Sequence, residues 1–407
     1  MKRARVRQSK FSELLNRLTK SKHFSKIVFS LVVAVVTIVA IIVMYAHASD
    51  STPVVDPEPT PDYSLVVDPE PEPDPEPDPE PDPEPDPEPE PDPEPADIGF
   101  FNPLTGMPTE EDISDKRPIA IMIGNTSGSL PQQGTSQACI IYETQVEGGI
   151  TRTLAVFQDV RDVGVIGSVR SARQGFVDIA QGHHAIIVHA GGSPEAIAMI
   201  RDRWIATIDD VNGPRGQNIF YRDSGRASRL GSVNALMTSG QRLSNELANF
   251  NYRPDHSSIG YVNTLQFVDD GTPEGGLPAS RVVVPFSTGK SSTFTFNANT
   301  GLYTIEQFGR QHIDANDNTP ISITNVIVIK TEITGIPGDD AGRRRTVTWG
   351  EGDGYFINGG LHIPIRWSRH DLNKQFEYFL LDGTPLMLGR GRTYVCIIPR
   401  ELEVRFS

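Results

Sequence analysis

Apolar and polar residues alternate in three different ways along this chain. Residues 27–46 form an apolar run of twenty residues without a charge. As a helix this run would be about 30 Å long, which matches the hydrocarbon core of a bilayer. Residues 97–261 alternate strand-length apolar runs with helical patterns, whereas residues 262–407 contain short apolar runs separated by turn residues. The pattern predicts a transmembrane helix followed by two folded domains.

The alternation in residues 97–261 predicts an N-terminal α/β-type sheet domain with packed helices. Its predicted strands are residues 119–124, 139–142, 153–158 and 185–189, and its predicted helices are residues 172–181, 194–201 and 241–250. Residues 262–407 are predicted to form a smaller, mostly β C-terminal domain, so the fold class is α+β. Its predicted strands are residues 281–286, 292–296, 302–308, 325–330, 354–359, 362–367, 375–381 and 393–399, with turns at 297–301 and 381–385.

The residues around the apolar run predict a single-pass anchor with a defined orientation. The basic leader, residues 1–26, holds nine Lys and Arg residues against one acid, Glu13. This charge excess predicts a cytoplasmic N-terminus and an extracellular C-terminal ectodomain. The sequence Ala46-His47-Ala48 leaves a cleaved signal peptide as the alternative, although the run is longer than the usual h-region of about 7–15 residues. No cysteine lies near the end of the run, which excludes a lipid-modified N-terminus.

Residues 47–96 are rich in Pro, Asp and Glu and are predicted to form an extended stalk. At about 3.1 Å per residue in the polyproline II form, the 46 residues 51–96 of this stalk would reach roughly 140 Å from the membrane. Residues 51–96 carry 17 acids and no base, which accounts for the net charge of −15. Residues 97–407 hold 33 acids and 28 bases, and nothing in them is typical of a nucleic-acid-binding protein. We therefore expect no nucleic-acid partner.

The two cysteines, Cys139 and Cys396, both lie in apolar, strand-like runs. Two buried thiols fit this pattern, and so does a disulfide between the two halves of the ectodomain, because an extracellular chain permits disulfides. Neither cysteine has the CxxC or HxxxH spacing of a zinc site. We therefore expect neither a metal nor a cofactor.

The clearest candidate for chemistry is the segment of residues 185–200, in which an apolar strand leads into a helix start. The strand ends at His189, and Gly191 and Gly192 permit a tight turn. Ser193 can cap the following helix, which begins with proline. Free N–H groups at such a start favour an anion, so we predict an anion-binding site here. An ordinary capped helix without a ligand is the alternative.

A second strand-to-helix segment, residues 163–180, carries Arg170, Ser171 and Arg173 near its helix start. The two arginines are three residues apart, so both guanidinium groups could face the same way. Arginine pairs suit bidentate recognition of a carboxylate or a phosphate. Salt bridges from these arginines to Glu143 or Glu147 are the alternative.

A third segment, residues 142–158, places Glu143, Glu147 and Arg152 around a pair of glycines. Paired carboxylates can act as acid and base, but they also hold arginines in place. The chain has no G-x-S-x-G nucleophile motif, so catalytic residues stay unassigned. The candidate ligand-binding residues are Arg152, Arg170, Ser171, Arg173, His189, Gly191, Gly192, Ser193, Glu143 and Glu147.

Several motifs resemble those of the YerB-like surface lipoproteins of Gram-positive bacteria. They are NPLTGMP at residues 102–108, RPIAIMIGN at 117–125, EGGITRTLAVFQ at 147–158, IGSVRSAR at 166–173 and HAGGSPEA at 189–196. The ending DGTPLMLGRGRTYVCIIP, residues 382–399, is similar to the C-terminal module of that family. The resemblance implies two domains at the cell surface without an assigned activity.

Three features depart from the family pattern. The family usually has a lipobox cysteine, whereas this chain carries an apolar helix, so attachment would differ while topology would not. The family pattern often has an acid at the position of Cys139, and a Pro-His-Asn-Leu stretch where residues 227–230 read Ala-Ser-Arg-Leu.

We interpret the chain as a membrane-tethered, extracytoplasmic cell-envelope protein with a non-catalytic site for an anionic wall component or an envelope partner protein. The predicted site brings the arginine pair against the diglycine turn as one electropositive recess. Two alternatives stay open. One is a cell-wall hydrolase or transferase that uses Glu143, Glu147 or His189, and the other is a scaffold that docks envelope enzymes through the β-rich domain. The sequence does not predict the oligomeric state.

Overall fold

The computed structural model describes residues 99–213 and 218–407. The predicted leader (1–26), transmembrane helix (27–46) and stalk (47–96) lie outside the described residues. All described residues belong to one compact unit, Pro91–Ser407. Within them, no helix combines the length and the apolar character that crossing a membrane requires.

Strands make up most of the regular structure in both halves, and the helices lie in the first half. The helices are α1 Gln174–Gly182, α2 Pro194–Asp202, α3 Ser224–Leu230 and α4 Gly240–Leu247, with single 3-10 turns at Thr135–Gln137 and Ser232–Asn234. The strands of the first half are β1 Phe100–Phe101, β2 Pro108–Thr109, β3 Ile119–Asn125, β4 Ile140–Gln145, β5 Thr151–Phe157, β6 Val165–Gly167, β7 Ile186–His189, β8 Thr207–Asp209, β9 Tyr221–Arg222 and β10 Leu236–Ser239. Those of the second half are β11 Gln266–Val268, β12 Leu277–Pro278, β13 Arg281–Ser287, β14 Lys290–Asn297, β15 Leu302–Gln307, β16 Arg310–Gln311, β17 Ile313–Asp314, β18 Thr319–Pro320, β19 Ser322–Ile323, β20 Asn325–Thr331, β21 Ile333–Gly335, β22 Arg344–Thr346, β23 Gly350–Asn358, β24 Leu361–Arg369, β25 Glu377–Phe379, β26 Met387–Gly389, β27 Thr393–Pro399 and β28 Arg405–Phe406.

Strands from both halves of the chain form one mixed sheet, the central sheet. Its order is β12-β24-β23-β20-β27-β4-β5-β3-β7-β8, and β25 also pairs with β24. Strand β27, near the end of the chain, lies between β20 and β4 and runs parallel to both. Strand β7 runs parallel to its neighbours β3 and β8. Residues on the two sides of the predicted boundary at 261/262 therefore share one sheet, and the boundary itself stays a prediction.

The side chains of the central sheet enter two hydrophobic cores. Along β3, Ile119, Ile121 and Ile123 enter one core, while Ala120 and Met122 enter the other. Side chains of a strand alternate between its two faces, so both faces of this sheet are covered. A second sheet, of order β16-β15-β14-β13-β28 with β19 paired to β15, closes the first core. Apolar residues of α1 and α2 enter the second core.

Sequence periodicity locates most of the long elements. Each of the four strands and three helices predicted in residues 97–261 overlaps an observed element, and the mostly β character of the second half is confirmed. In the first half, short helices accompany the strands, and α1 and α2 pack against the central sheet as predicted, although the chain as a whole is mostly β. The predicted strand at 375–381 shrinks to Glu377–Phe379, because a turn follows in which Leu380 N–H donates to the carbonyl of Thr384. The short elements α3, β6, β8, β9 and β10 are missed.

A buried ion pair connects the central sheet to the second sheet. Glu143 of β4 has no exposed surface, and its Oε1 lies 2.9 Å from Nζ of Lys290 on β14. The same carboxylate accepts hydrogen bonds from Asn125 at 2.7 Å, Thr151 at 2.7 Å, Ser292 at 2.8 Å and Tyr394 at 2.7 Å. Burial alone would raise the pKa of Glu143, but Lys290 and the other donors outweigh burial and lower it.

The two cysteines are free and buried. Cys396 of β27 pairs in register with Glu143 of the neighbouring β4, whereas Cys139 precedes that strand. Four residues along a strand span about 13 Å, well beyond the Cα separation of about 7 Å that a disulfide allows. The sequence leaves two states open, a disulfide and two buried thiols, and the structure has the two buried thiols.

Candidate functional site

Backbone hydrogen bonds join the two segments in which the sequence predicts an anion site. Ala172 N–H donates to the carbonyl of Gly191 at 2.9 Å, and the carbonyl of Ala172 accepts from Ser193 N–H at 3.1 Å. Ala190 N–H donates to the carbonyl of Arg170 at 3.0 Å. The starts of α1 and α2 therefore lie side by side, beyond the carboxyl end of β7.

The diglycine turn has the predicted local geometry, but one of its amide groups is occupied. Gly191 has a φ of 62°, which few residues other than glycine adopt, and the Ser193 hydroxyl caps α2 by accepting from Ala196 N–H at 3.2 Å. The N–H of Gly191 donates to Asp209 Oδ1 at 2.6 Å. Within the described residues the N–H of Gly192 has no acceptor. Only part of the predicted set of amides is therefore open to an anion.

Four arginines surround Glu147, and we call them the arginine cluster: Arg152, Arg170, Arg173 and Arg343. Arg173 donates two hydrogen bonds to Glu147, from Nε to Oε2 at 2.8 Å and from Nη2 to Oε1 at 2.7 Å. Arg152 donates from Nη2 to Glu147 Oε1 at 2.6 Å. The backbone of Arg343 forms an isolated β-bridge with that of Glu147. The salt bridge that the sequence leaves open as an alternative is thus present for Arg173.

The arginine cluster carries more positive than negative charge. Three of its four guanidinium groups are paired with only two carboxylates: Arg152 and Arg173 share Glu147, and Arg343 contacts Asp339. Burial, together with the charge of the nearby Arg173, lowers the pKa of Arg152 to about 9. Positive charges crowded in this way favour a further anion, because it would relieve their mutual repulsion.

Arg170 is the member of the cluster that has no carboxylate within salt-bridge distance in the described part of the chain. Its guanidinium donates to the backbone carbonyl of Val233. Burial lowers the pKa of Arg170, and Glu147 opposes that effect without contacting it. The side chain lies against Gly124, where a Cβ would come within 3.1 Å of Arg170 Cγ. Glycine therefore leaves the space that this guanidinium needs beside β3.

His189 lies behind the diglycine turn and is only 1% exposed. Its Nδ1 donates to the carbonyl of Gly191 at 2.8 Å, and its Nε2 lies 2.6 Å from the hydroxyl of Thr207. Burial lowers the pKa of His189, so the ring is neutral near pH 7. It lines a hollow of about 320 Å³ on the side of β8. Within residues 99–213 and 218–407, no three His, Cys, Asp or Glu side chains are grouped so as to hold a metal ion.

The remaining predicted site residues, Glu143 and Ser171, make contacts that hold the fold together. Glu143 lies in the buried network with Lys290 and does not contact the arginine cluster in the described residues. Ser171 contributes its carbonyl, which accepts from Arg152 Nη1 at 2.7 Å. The structure therefore brings together the arginines, Glu147 and the diglycine turn, and it separates Glu143 from them.

Sequence reasoning missed a cleft of about 980 Å³ at the amino end of β3, which we call the Trp204 cleft. Its walls come from five stretches: the residues just before β3, the end of α1 with the loop that follows it, the loop after α2, the segment of residues 251–264 and the loop before β25. Four of its lining residues are cations: Arg117, Arg203, Arg253 and Lys374. The feature of the sequence that could have indicated this cleft is a tryptophan beside charged residues, in Arg-Asp-Arg-Trp at residues 201–204. No local pattern links that tryptophan to the other walls of the cleft.

Comparison with known proteins gives three agreeing matches. Residues 104–253 and 282–395 match the models described as the N-terminal and C-terminal domains of "Protein of unknown function (DUF3048)". The chain is 28% identical over 302 residues to "Putative lipoprotein YerB" of Bacillus subtilis (strain 168), which covers 73% of this chain and 86% of the relative. The crystal structure of the YerB protein from Bacillus subtilis is similar with a TM-score of 0.66 at 25% identity, over 75% of this chain and 99% of that one. These matches confirm the resemblance seen in the sequence motifs.

Proposed function

Because the chain belongs to the DUF3048 family, with both of its domains, we propose that it is a membrane-attached surface protein that binds an anionic group of the cell envelope. The name of the Bacillus subtilis relative, a lipoprotein, supports the surface location. In this proposal the anchor is the apolar run of residues 27–46, because it is uncharged and long enough to span a bilayer. The N-terminus is cytoplasmic and residues 47–407 are extracellular.

We expect the full-length protein to stay in the membrane pellet of expressing bacteria after an alkaline wash and to be released only by detergent. A helix of twenty apolar residues holds a chain in a bilayer far more firmly than surface contacts do. Immunoblots of membrane and culture fractions measure this. As a control, Ala46→Leu with Ala48→Leu removes the small residues of a cleavage site and should leave the apparent mass unchanged. An ectodomain found free in the medium, and retained on the cells by that double substitution, would contradict an uncleaved anchor.

The excess of guanidinium groups in the arginine cluster is the observation that carries the binding proposal. Glu147 holds Arg152 and Arg173 in fixed positions, while Arg170 keeps no carboxylate partner among the described residues. The adjoining starts of α1 and α2 add the positive ends of two helix dipoles. A carboxylate or phosphate placed between Arg170 and the helix starts would receive charge-assisted hydrogen bonds. Wall glycopeptides, teichoic acids and acidic segments of partner proteins all offer such groups.

Replacing Arg170 and Arg173 together by glutamine is expected to weaken binding of purified cell-wall fragments about tenfold or more, because two charge-assisted contacts are lost. A co-sedimentation assay with the full-length protein in detergent measures this. Fragments stripped of teichoic acid, run in parallel, distinguish phosphate from peptidoglycan carboxylate as the ligand.

The matched control is Arg229→Gln with Arg366→Gln, which removes the same net charge from exposed positions of the described surface. This control is expected to bind as the parent does. Equal losses in both double variants would mean that general charge attraction accounts for the binding, and retention by the Arg170 and Arg173 variant would remove the proposed site.

The binding function is better supported than the catalytic alternative. That alternative uses Glu143, Glu147 or His189. Glu143 and His189 are buried, and both oxygens of the carboxylate and both nitrogens of the ring are already in hydrogen bonds. Glu147 is partly exposed, but both of its oxygens accept hydrogen bonds from arginines. A carboxylate paired in this way is a weak base, because the arginines lower its pKa against the opposing effect of burial.

A further inference from the structure

We propose that the Trp204 cleft is a second binding site, which takes an acidic saccharide: a sugar that carries a carboxylate or a phosphate. The cleft goes beyond the function proposed above, since it lies at the amino end of β3 and shares no residue with the arginine cluster. Its volume of about 980 Å³ is in the range of sites that enclose small ligands.

The anionic part of the ligand follows from a buried arginine without a counter-charge. Arg117 is only 9% exposed, and its guanidinium donates to two backbone carbonyls, that of His184 at 2.9 Å and that of Arg253 at 3.3 Å. In the part of the chain that the structure describes, no carboxylate lies within salt-bridge distance of it. Burial, together with the charge of the neighbouring Arg253, lowers the pKa of Arg117 to about 10. A buried cation of this kind is costly until an anion approaches it.

The other charges of the cleft reinforce this need. Arg253 and Lys374 also have no carboxylate within salt-bridge distance among the described residues. Arg203 is different, because its Nη1 already lies 2.6 Å from Asp178 Oδ1. The one acid that lines the cleft is Asp371. Three unmatched cations against a single acid leave the cleft electropositive, so it attracts an anion before contact is made.

The saccharide part follows from the exposed aromatic ring and the amides. Trp204 is 93% exposed and has a φ of 56°, a left-handed conformation that is unfavourable for a bulky residue. An uncovered indole of this kind offers a flat face on which the C–H face of a sugar ring can pack. Gln181, Asn251 and Asn373 line the same cleft and offer donors and acceptors to hydroxyl groups.

Isothermal titration of the full-length protein in detergent tests the inference with four probes. N-acetylmuramic acid carries a carboxylate, glucose 6-phosphate carries a phosphate, N-acetylglucosamine is neutral, and tetraglutamate is an acidic peptide. We expect at least one acidic sugar to bind about tenfold or more tightly than the neutral sugar, because charge-assisted contacts distinguish them. The tighter of the two acidic sugars identifies the anionic group.

Two substitutions at exposed positions locate the binding. Arg253→Gln and Trp204→Ala are each expected to weaken binding of the acidic sugar about tenfold or more, whereas Arg366→Gln, at an exposed arginine outside the cleft, leaves it unchanged. Near-ultraviolet circular dichroism checks that each variant is folded. Absence of saturable binding, equal affinity for the neutral sugar, a preference for tetraglutamate or insensitivity to both substitutions would each overturn the inference.

The Arg170→Gln with Arg173→Gln variant separates this inference from the function proposed above. Sugar binding that fails in Arg253→Gln and persists in the double variant supports the Trp204 cleft. The reverse pattern assigns the sugar to the arginine cluster and overturns the cleft, while leaving the first proposal standing.

Discussion

Replacing Lys290 by methionine is expected to lower the free energy of unfolding by about 3–5 kcal/mol, because it leaves the carboxylate of Glu143 buried without its counter-charge. The side chains of this pair are 2% and 0% exposed, so water cannot replace the lost contact. The pair also joins the central sheet to the second sheet, and the expected loss is therefore in overall stability rather than in one loop. Urea unfolding followed by tryptophan fluorescence measures it.

A surface pair with the same geometry provides the matched control. Lys330 Nζ lies 2.9 Å from Glu403 Oε1, but the glutamate side chain is 72% exposed. Lys330→Met is therefore expected to cost less than about 1 kcal/mol. Adding Glu143→Gln to Lys290→Met removes the buried charge and should recover at least half of the loss, because glutamine still offers an acceptor to the surrounding hydroxyls. Similar costs for the two lysine substitutions would contradict a special role for the buried pair.

The free energy of unfolding is expected to fall steeply as the pH drops from about 6.5 to about 4, through the buried histidines. Burial lowers the pKa of His183 to about 3 and that of His312 to about 4, from an ordinary value of 6.5. The charge of Arg369 contributes to the lowered pKa of His183, whereas Glu143 opposes the lowering for His312. At a pH between 6.5 and these lowered pKa values, the unfolded chain binds protons at His183 and His312 that the folded chain does not bind. Stability is therefore complete above pH 6.5 and decreases below it, on the order of 3 kcal/mol for each fully buried ring.

Urea midpoints measured from pH 8 down to pH 4.5 test the acid sensitivity. His312→Leu is the informative variant, since Nε2 of this buried ring has no hydrogen-bond partner in the described residues. This substitution should reduce the pH slope below 6.5 by about one proton. A midpoint that stays level or rises on acidification would contradict the neutral, buried state of these rings.

Short-range chemistry in the sequence predicted the start of α2 well. Gly191, Ser193 and Pro194 act within one turn of backbone, so their order alone predicts the bend, the cap and the first helical residue. Sequence order likewise showed that arginines and glycines occur near two helix starts. Sequence order could not show that the N–H of Gly191 donates to Asp209, because that aspartate lies on another strand, β8.

Long-range pairing accounts for most of what the sequence did not reveal. An apolar run such as residues 393–399 predicts a buried strand, but its composition does not specify a neighbour, and the structure pairs it with β4 from the other half. The Glu143 and Lys290 pair depends on the same assembly, since the two residues lie on different sheets. The Trp204 cleft was not predicted for the same reason, because its walls come from five separate stretches of the chain.

The central position of β27 has a consequence for how the chain folds. This strand, Thr393–Pro399, fills the space between β20 and β4 and follows both of them in the sequence. The β20 and β4 parts of the central sheet therefore cannot join until β27 has paired with both. Until then the edges of β4 and β20 are uncovered, which makes a partly folded chain prone to aggregation.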